Sequence, residues 1–235
     1  VSDPGSALDK LAREQRFLAL VPGEPTIGGR FSAISPFGLV PAALLGLDLP
    51  RYVNRAAELA ADCREAEVLK NPGVALGLAL GVAAKAGQDK LTLVLAPQIA
   101  ALGAWLEQLI AESTGKLGQM ILPIDHELLA PPSWYGKDRL FVVVRYAGRL
   151  ADEQEAAVAS LLFAGLPVIE IDCADLASLG AEFFRWEFAT AIAGAINVNL
   201  TSNERSRMAA TRKVDPDVYE TYLQGKYFGE RFDQD

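Results

Sequence analysis

The chain has 235 residues, 51% of them hydrophobic and 22% charged, a balance that supplies a full core for one domain or for one domain plus an extension. Thirty acidic against 22 basic side chains leave a net charge of −8, and this excludes a nucleic-acid partner, which needs a basic face. A small anionic ligand stays compatible, because it needs only a local nest of donors.

Ser2-Asp3-Pro4-Gly5-Ser6 reads as a turn and cap for a helix over residues 7–16, with no hydrophobic strand before it. Residues 22–36 are punctuated by Pro22, Gly23, Pro25, Gly28, Gly29 and Pro36, which marks an irregular loop carrying a single cation, Arg30. Glycines just before Arg30 allow a ligand to approach the backbone closely. Residues 37–45 and 51–67 are predicted helices, the second with Tyr52, Ala56, Leu59, Ala60 and Cys63 along one side.

The apolar run 73–84 is about half the ~20 residues a membrane span requires, so it reads as a core helix and no membrane partner is expected. Gly73, Gly77 and Gly81 fall four apart on one face of it, which lets another helix or the sheet come close to its backbone. A short strand at 91–95 leads into a helix over 98–111, a strand at 120–124, a Pro-rich loop at 131–133 and a strand at 140–146. A helix over 152–163, a strand at 167–171 and a long apolar helix over 179–195 follow. Strands alternating with helices of ten or more residues predict a three-layer αβα sandwich, an α/β fold with a mostly parallel sheet covered on both faces.

Beyond residue 196 the sequence turns polar and charged, and Asp215-Pro216 reads as the cap of a last helical stretch; this tail is expected to be an arm. Two distant cysteines, Cys63 and Cys173, and one histidine leave no metal-binding cluster. Neither metal nor cofactor is expected, and with no signal peptide the chemistry of the thiols fits a reducing cytoplasm.

The predicted helix that ends near residue 115 carries the chemistry. Leu102, Leu106, Leu109 and Ile110 recur at helical spacing, Gly115 stops the helix, and Gln108 and Glu112 lie one turn apart on its other side. This helix-turn-strand corner is expected to lie where α/β folds keep their sites. An acid at a helix C-terminus is unfavourable with the dipole, so without further information a solvated surface Glu is the simpler account of Glu112.

Glu112-Ser113-Thr114-Gly115-Lys116 resembles the E-S-x-G-K signature of phosphoglucose isomerases, whose carboxylate moves a proton between C1 and C2 of a sugar phosphate. Ile27-Gly28-Gly29-Arg30-Phe31-Ser32-Ala33-Ile34-Ser35-Pro36-Phe37-Gly38 looks like the family's first signature, I-G-G-R-[FY]-S-x-x-S-x-x-G. Asn71-Pro72-Gly73, Tyr135-Gly136-Lys137-Asp138-Arg139-Leu140-Phe141 and the segment from Phe184 to Gly194 look most like the isomerase part of bacterial bifunctional transaldolase/phosphoglucose isomerases. The resemblance covers roughly residues 1 to 196.

It implies glucose-6-phosphate isomerase activity in glycolysis and gluconeogenesis, with Glu112 as the base and Arg30 stabilising the enediolate. Gln108, Gly29, Ser113, Thr114 and Lys116 are the implied contacts to a sugar phosphate substrate. For Ser113 and Thr114 the alternative is capping of the turn, for Gln108 simple solvation, and for Lys116 a role at the helix end. Such enzymes contain two sugar-isomerase (SIS) domains. The chain then reads as residues 1–50 leaving a missing first SIS domain and carrying the Gly-Gly-Arg loop, 51–196 as the second SIS domain, and 197–235 as the arm.

His126 stands outside the expected catalytic set, and Asp138 falls where the family has its ring-opening histidine. The family's closing signature supplies a Gln and a Lys, whereas Thr201 and Met208 stand at those positions here, with Arg205 and Arg207 nearby. The expectation is therefore an enzyme piece inactive alone. The alternative is a non-catalytic sugar-phosphate-binding or dimerisation module, and a homodimer fits either.

Overall fold

The computed structural model describes residues 1–115 and 121–197. They fall into two compact units, Val1–Gly46 and Leu47–Asn197.

In the first unit, the Ser6 side chain accepts from the Asp9 amide at 3.2 Å and starts α1 (Ala7–Glu14). Arg16, at φ 51°, lies beyond its end, so the helix is shorter than the predicted 7–16. A single 3-10 turn, Gly29–Phe31, precedes α2 (Pro36–Leu44). The serines of this stretch fold it onto itself: Ser32 Oγ donates to the Gly29 carbonyl at 2.7 Å, and Ser35 Oγ donates to the Ser32 carbonyl at 2.8 Å while accepting from the Phe37 amide. Gly38 packs against the Ala33 carbonyl so closely that a Cβ there would collide with it.

The second unit runs α3 (Leu49–Asp62), α4 (Pro72–Lys85), β1 (Lys90–Leu95), α5 (Leu102–Thr114), β2 (Leu122–Ile124), β3 (Arg139–Tyr146), α6 (Asp152–Phe163), β4 (Val168–Cys173) and α7 (Leu179–Asn197). Its sheet has the order β2-β1-β3-β4, all pairs parallel. The two inner strands are buried apolar runs, Leu91–Leu95 interrupted only by Thr92, and residues 140–144 throughout. That is the pattern of strands covered on both faces.

From β1 the chain passes through α5 to β2 on one side; from β3 it passes through α6 to β4 on the other. Right-handed crossovers in opposite directions put α5 and α6 on opposite faces, which gives the three layers. Gln154 Nε2 of α6 donates to the Leu95 carbonyl at the end of β1 at 3.0 Å. The outer strand β4 turns Glu170 and Asp172 to solvent, charges that discourage edge-to-edge pairing.

α7 packs against α3, α4 and α5 and buries Trp186, Ala189 and Ala193 completely. The glycine stripe of α4 is the reason α7 can approach: a Cβ at Gly77 would lie 2.7 Å from the Ala189 carbonyl oxygen, and one at Gly81 would lie 2.9 Å from Ile196. Cys63 and Cys173 are both buried and free. Burial pushes the Cys173 thiol up to about 12, so it stays protonated and inert at neutral pH. Among the described residues no helix is long and apolar enough to cross a membrane.

The connection from β2 to β3 has no α-helix and is held by side chains. Glu127 Oε2 accepts from Thr92 Oγ1 at 2.7 Å and from Arg139 Nη1 at 2.8 Å, and Arg139 also donates to Thr92. The Arg139 guanidinium lies over the Tyr135 ring, with Cζ 5.2 Å from its centroid, and Tyr135 Oη accepts from the Ala130 amide. The Tyr-Gly-Lys-Asp-Arg block is thus the fastening of a loop.

Candidate functional site

Four of the seven expected site residues, Gln108, Glu112, Ser113 and Thr114, stand on α5. Its apolar side, Leu102, Leu106, Leu109 and Ile110, is buried, and this turns Gln108 and Glu112 outward. Gln108 Nε2 donates to Glu112 Oε1 at 3.1 Å, so the two side chains that helix geometry places together do meet. Ser113 is half-buried, and its carbonyl faces α7, where a Cβ on Gly194 would come within 3.1 Å of it. Thr114 is 3% exposed. Its hydroxyl donates to the Ile110 carbonyl at 2.8 Å and accepts from the Ile121 amide at 3.0 Å.

The corner lies at a different end of the sheet from the one expected. In a parallel sheet α5 returns the chain from the carboxyl end of β1 to the amino end of β2, so Glu112 stands at the amino-terminal edge. Ligands of open α/β sheets ordinarily bind outside the carboxyl ends of the strands. Helix spacing alone does not reveal this, because it depends on strand direction.

At that same edge sit three charged groups that sequence reasoning either missed or did not connect. The Leu122 amide donates to the Asp89 carbonyl at 2.7 Å, and Lys90, paired in register with Leu122 and Arg139, donates its amide to the Asp138 carbonyl at 3.1 Å. Lys90 Nζ is 2.7 Å from Asp138 Oδ2 and 3.2 Å from Asp89 Oδ1. The hydrogen bond from Lys90 holds the Asp138 carboxyl below the usual range, and the hydrogen bonds to Asp138 and then Asp89 raise the Lys90 ammonium. Asp138 is therefore a fixed anion, unlike the titrating histidine that the resemblance would put there.

Gly29 and Arg30 lie on the 3-10 turn of the first unit. Space is open where a Cβ of Gly29 would stand, and Arg30 Cζ is 5.1 Å from the Phe31 ring centroid. His126, 71% exposed at φ 55°, has Nδ1 2.6 Å from Asp125 Oδ2, away from the α5 corner in the chain and at the other end of β2. Lys116, Thr201, Arg205, Arg207, Met208, Asp215 and the arm as a whole lie outside the described residues. Among the described residues no group of three or more His, Cys, Asp or Glu side chains is placed to hold a metal ion.

Two buried acids of α7 were not anticipated, Glu182, which pairs with Arg185, and Glu187. Glu187 on α7 is 6% exposed and its Oε1 has no hydrogen-bond partner among the described residues. Burial alone pushes its carboxyl up to about 8. Its only signal in the sequence is a polar residue type among the apolar residues of a helix that also carries Glu182, Arg185 and Thr190.

No protein-family model matches the chain. A glucose-6-phosphate isomerase of Synechococcus elongatus is 35% identical over 133 residues, 55% of this chain and 25% of that protein. One from a Nostoc species is 36% identical over 118 residues, 49% of this chain and 22% of the relative. The chain thus spans about a quarter of the length of the curated relatives it matches. A solved structure of a hypothetical protein from Thermus thermophilus shares the fold with TM-score 0.67 at 22% identity, over 90% of this chain and 61% of that one.

Proposed function

We propose that this chain is the second SIS domain of a glucose-6-phosphate isomerase, with its preceding linker, and that it interconverts glucose 6-phosphate and fructose 6-phosphate once joined to a first SIS domain. The observation that carries this reading is the carboxylate of Glu112, held by Gln108 at the helix end, in a chain whose partial-length relatives bear that enzyme's name. Moving a proton between two adjacent carbons needs a base beside the C2 proton, a positive group at the enediolate oxygen, an anchor for the phosphate and exclusion of water.

Glu112 takes the proton from C2 and returns it to C1. Arg30 holds the developing oxyanion, because a guanidinium stays charged and can address two oxygens at once. Gln108, the Gly29 backbone, Ser113 and Lys116 bind substrate oxygens; Thr114, expected among these contacts, is left out because its hydroxyl is engaged by Ile110 and Ile121. Parentage in a transaldolase fusion, a cytoplasmic setting and a homodimer belong to the same reading. A second reading is supported by an ungapped alignment of residues 196–213 with the family's closing signature, which sets Thr201 and Met208 against its Gln and Lys. It makes the chain a sugar-phosphate-binding module without turnover.

A coupled assay of fructose 6-phosphate conversion separates them. The chain alone should show little turnover, because remote phosphate binding is what orients the reacting carbons, and the chain joined to its first domain should be active. Robust turnover by the chain alone overturns the two-domain reading. Binding without turnover in the joined protein favours the module.

A further inference from the structure

Thr114 sits in the run that carries Glu112, yet its hydroxyl is not directed at solvent. It is 3% exposed and engaged twice: as donor to the Ile110 carbonyl at 2.8 Å and as acceptor from the Ile121 amide at 3.0 Å. Ile110 lies on α5, and Ile121 is buried just before β2. One hydroxyl therefore joins the last turn of the helix to the start of the strand, across seven positions of chain. A second constraint comes from the other side. Gly194 of α7 lies close against the Ser113 carbonyl, since a Cβ there would stand 3.1 Å from it, tighter than ordinary contact, so the end of α5 is seated against α7 by close backbone contact.

From these two attachments the geometry points to Thr114 as a positioning residue. It fixes the end of α5, and with it the carboxylate of Glu112, without touching substrate, while Gly194 supplies the opposing wall. Glu112 stands two residues before Thr114 on the helix's outward side, where Gln108 contacts its carboxylate, so the position of both side chains follows where the last turn of α5 is held. A hydroxyl that both donates and accepts is what the position requires. Valine has the shape but neither function, and would leave the buried Ile121 amide without its acceptor. Serine keeps both functions. The kinetic part of this inference rests on the isomerase reading; the structural part does not.

The test has two arms. Native-state hydrogen exchange on this chain should find the Ile121 amide protected well above a surface amide; exchange at the rate of an open loop overturns the attachment, whatever the function. In the joined enzyme, Thr114→Val should lower kcat by about 10- to 100-fold with KM within about twofold, the signature of a misplaced group. Thr114→Ser should restore most of kcat, and Gly194→Ala, which asks the Ser113 carbonyl to give way by a few tenths of an ångström, should lower kcat in the same sense. A rise in KM alone for Thr114→Val makes Thr114 a substrate contact and overturns the inference, as do unchanged kinetics. If Thr114→Val does not fold, the Gly194→Ala kinetics and the Ile121 exchange decide it: an unchanged kcat in Gly194→Ala, or exchange of the Ile121 amide at the rate of an open loop, overturns the inference. Glu112→Gln serves as control: an unaltered kcat there sinks the isomerase reading and leaves the exchange result standing.

Discussion

Gln108 Nε2 and Glu112 Oε1 are 3.1 Å apart on one exposed face of α5, a donor one helical turn before the acid it touches. The bond limits the rotamers open to the carboxylate. Gln108→Leu keeps helix propensity but removes the donor, so kcat/KM in the joined enzyme should fall by about 3- to 10-fold, the low end for a solvent-exposed bond to a charged group. Gln108→Glu places like charges at i, i+4 and should cost more. Steady-state kinetics that leave Gln108→Leu at the parental value dismiss the contact.

Arg30 distinguishes catalysis from simple binding. A cation acting mainly on the enediolate matters more in the transition state than in the ground state. Arg30→Ala should then depress kcat more than it raises KM, and Arg30→Lys should keep part of the activity. If Arg30→Ala changes affinity alone, the residue is an anchor and the binding-module reading gains.

Gly77 is where α4 yields to α7. Gly77→Ala should gain up to about 1 kcal/mol in helix propensity. The new Cβ, however, meets the Ala189 carbonyl and Ile192 side chain at 2.7 Å, and overpacking of that kind typically costs about 1–3 kcal/mol. A net drop in Tm of a few degrees is expected for a chain of this size. A higher Tm would mean that α7 moves aside freely.

Glu187 makes stability depend on pH. Its folded carboxyl titrates near 8 rather than near 4.5, so between those values the folded chain keeps a proton that the unfolded chain releases. Stability therefore falls as pH rises through that window and levels off above about 8. Its charged neighbourhood includes Tyr52 of α3, whose phenol is pushed up first by burial and then by Glu187, and on α7 itself Glu182 pairs with Arg185. Urea melts at pH 5, 7 and 9 should show the parental midpoint declining, and Glu187→Gln should flatten that decline and be the more stable at pH 9. Parallel curves would mean that Glu187 is solvated.

Elements with a strong local signal were legible: residues 152–163 form α6 as the pattern predicts, and the four-residue glycine spacing of α4 marks its contact with α7. Short-range bonds and turns that the apolar pattern does not register account for several of the misses. The helix predicted to reach residue 67 stops at Asp62, because Asn71 Nδ2 takes the Cys63 and Glu65 carbonyls at 2.6 and 3.0 Å. The helix predicted from residue 98 begins at Leu102, since Pro97–Ile99 form a 3-10 turn first. In the site, the pairing of Gln108 with Glu112 follows from helix geometry. The sheet edge, the bond from the Ile121 amide to Thr114 and the Lys90–Asp138 pair do not, because each depends on strand order or on partners outside the local helix pattern.

Replacing Glu112 in the joined enzyme is the direct measurement. Glu112→Gln should fold as the parent does and lose roughly 10² to 10⁴ in kcat, the usual worth of a general base, together with solvent-deuterium incorporation at C2 of glucose 6-phosphate during turnover. A variant that isomerises at the parental rate and exchanges that proton as before would remove Glu112 from the chemistry, and with it the assignment of isomerase activity to the α5 corner.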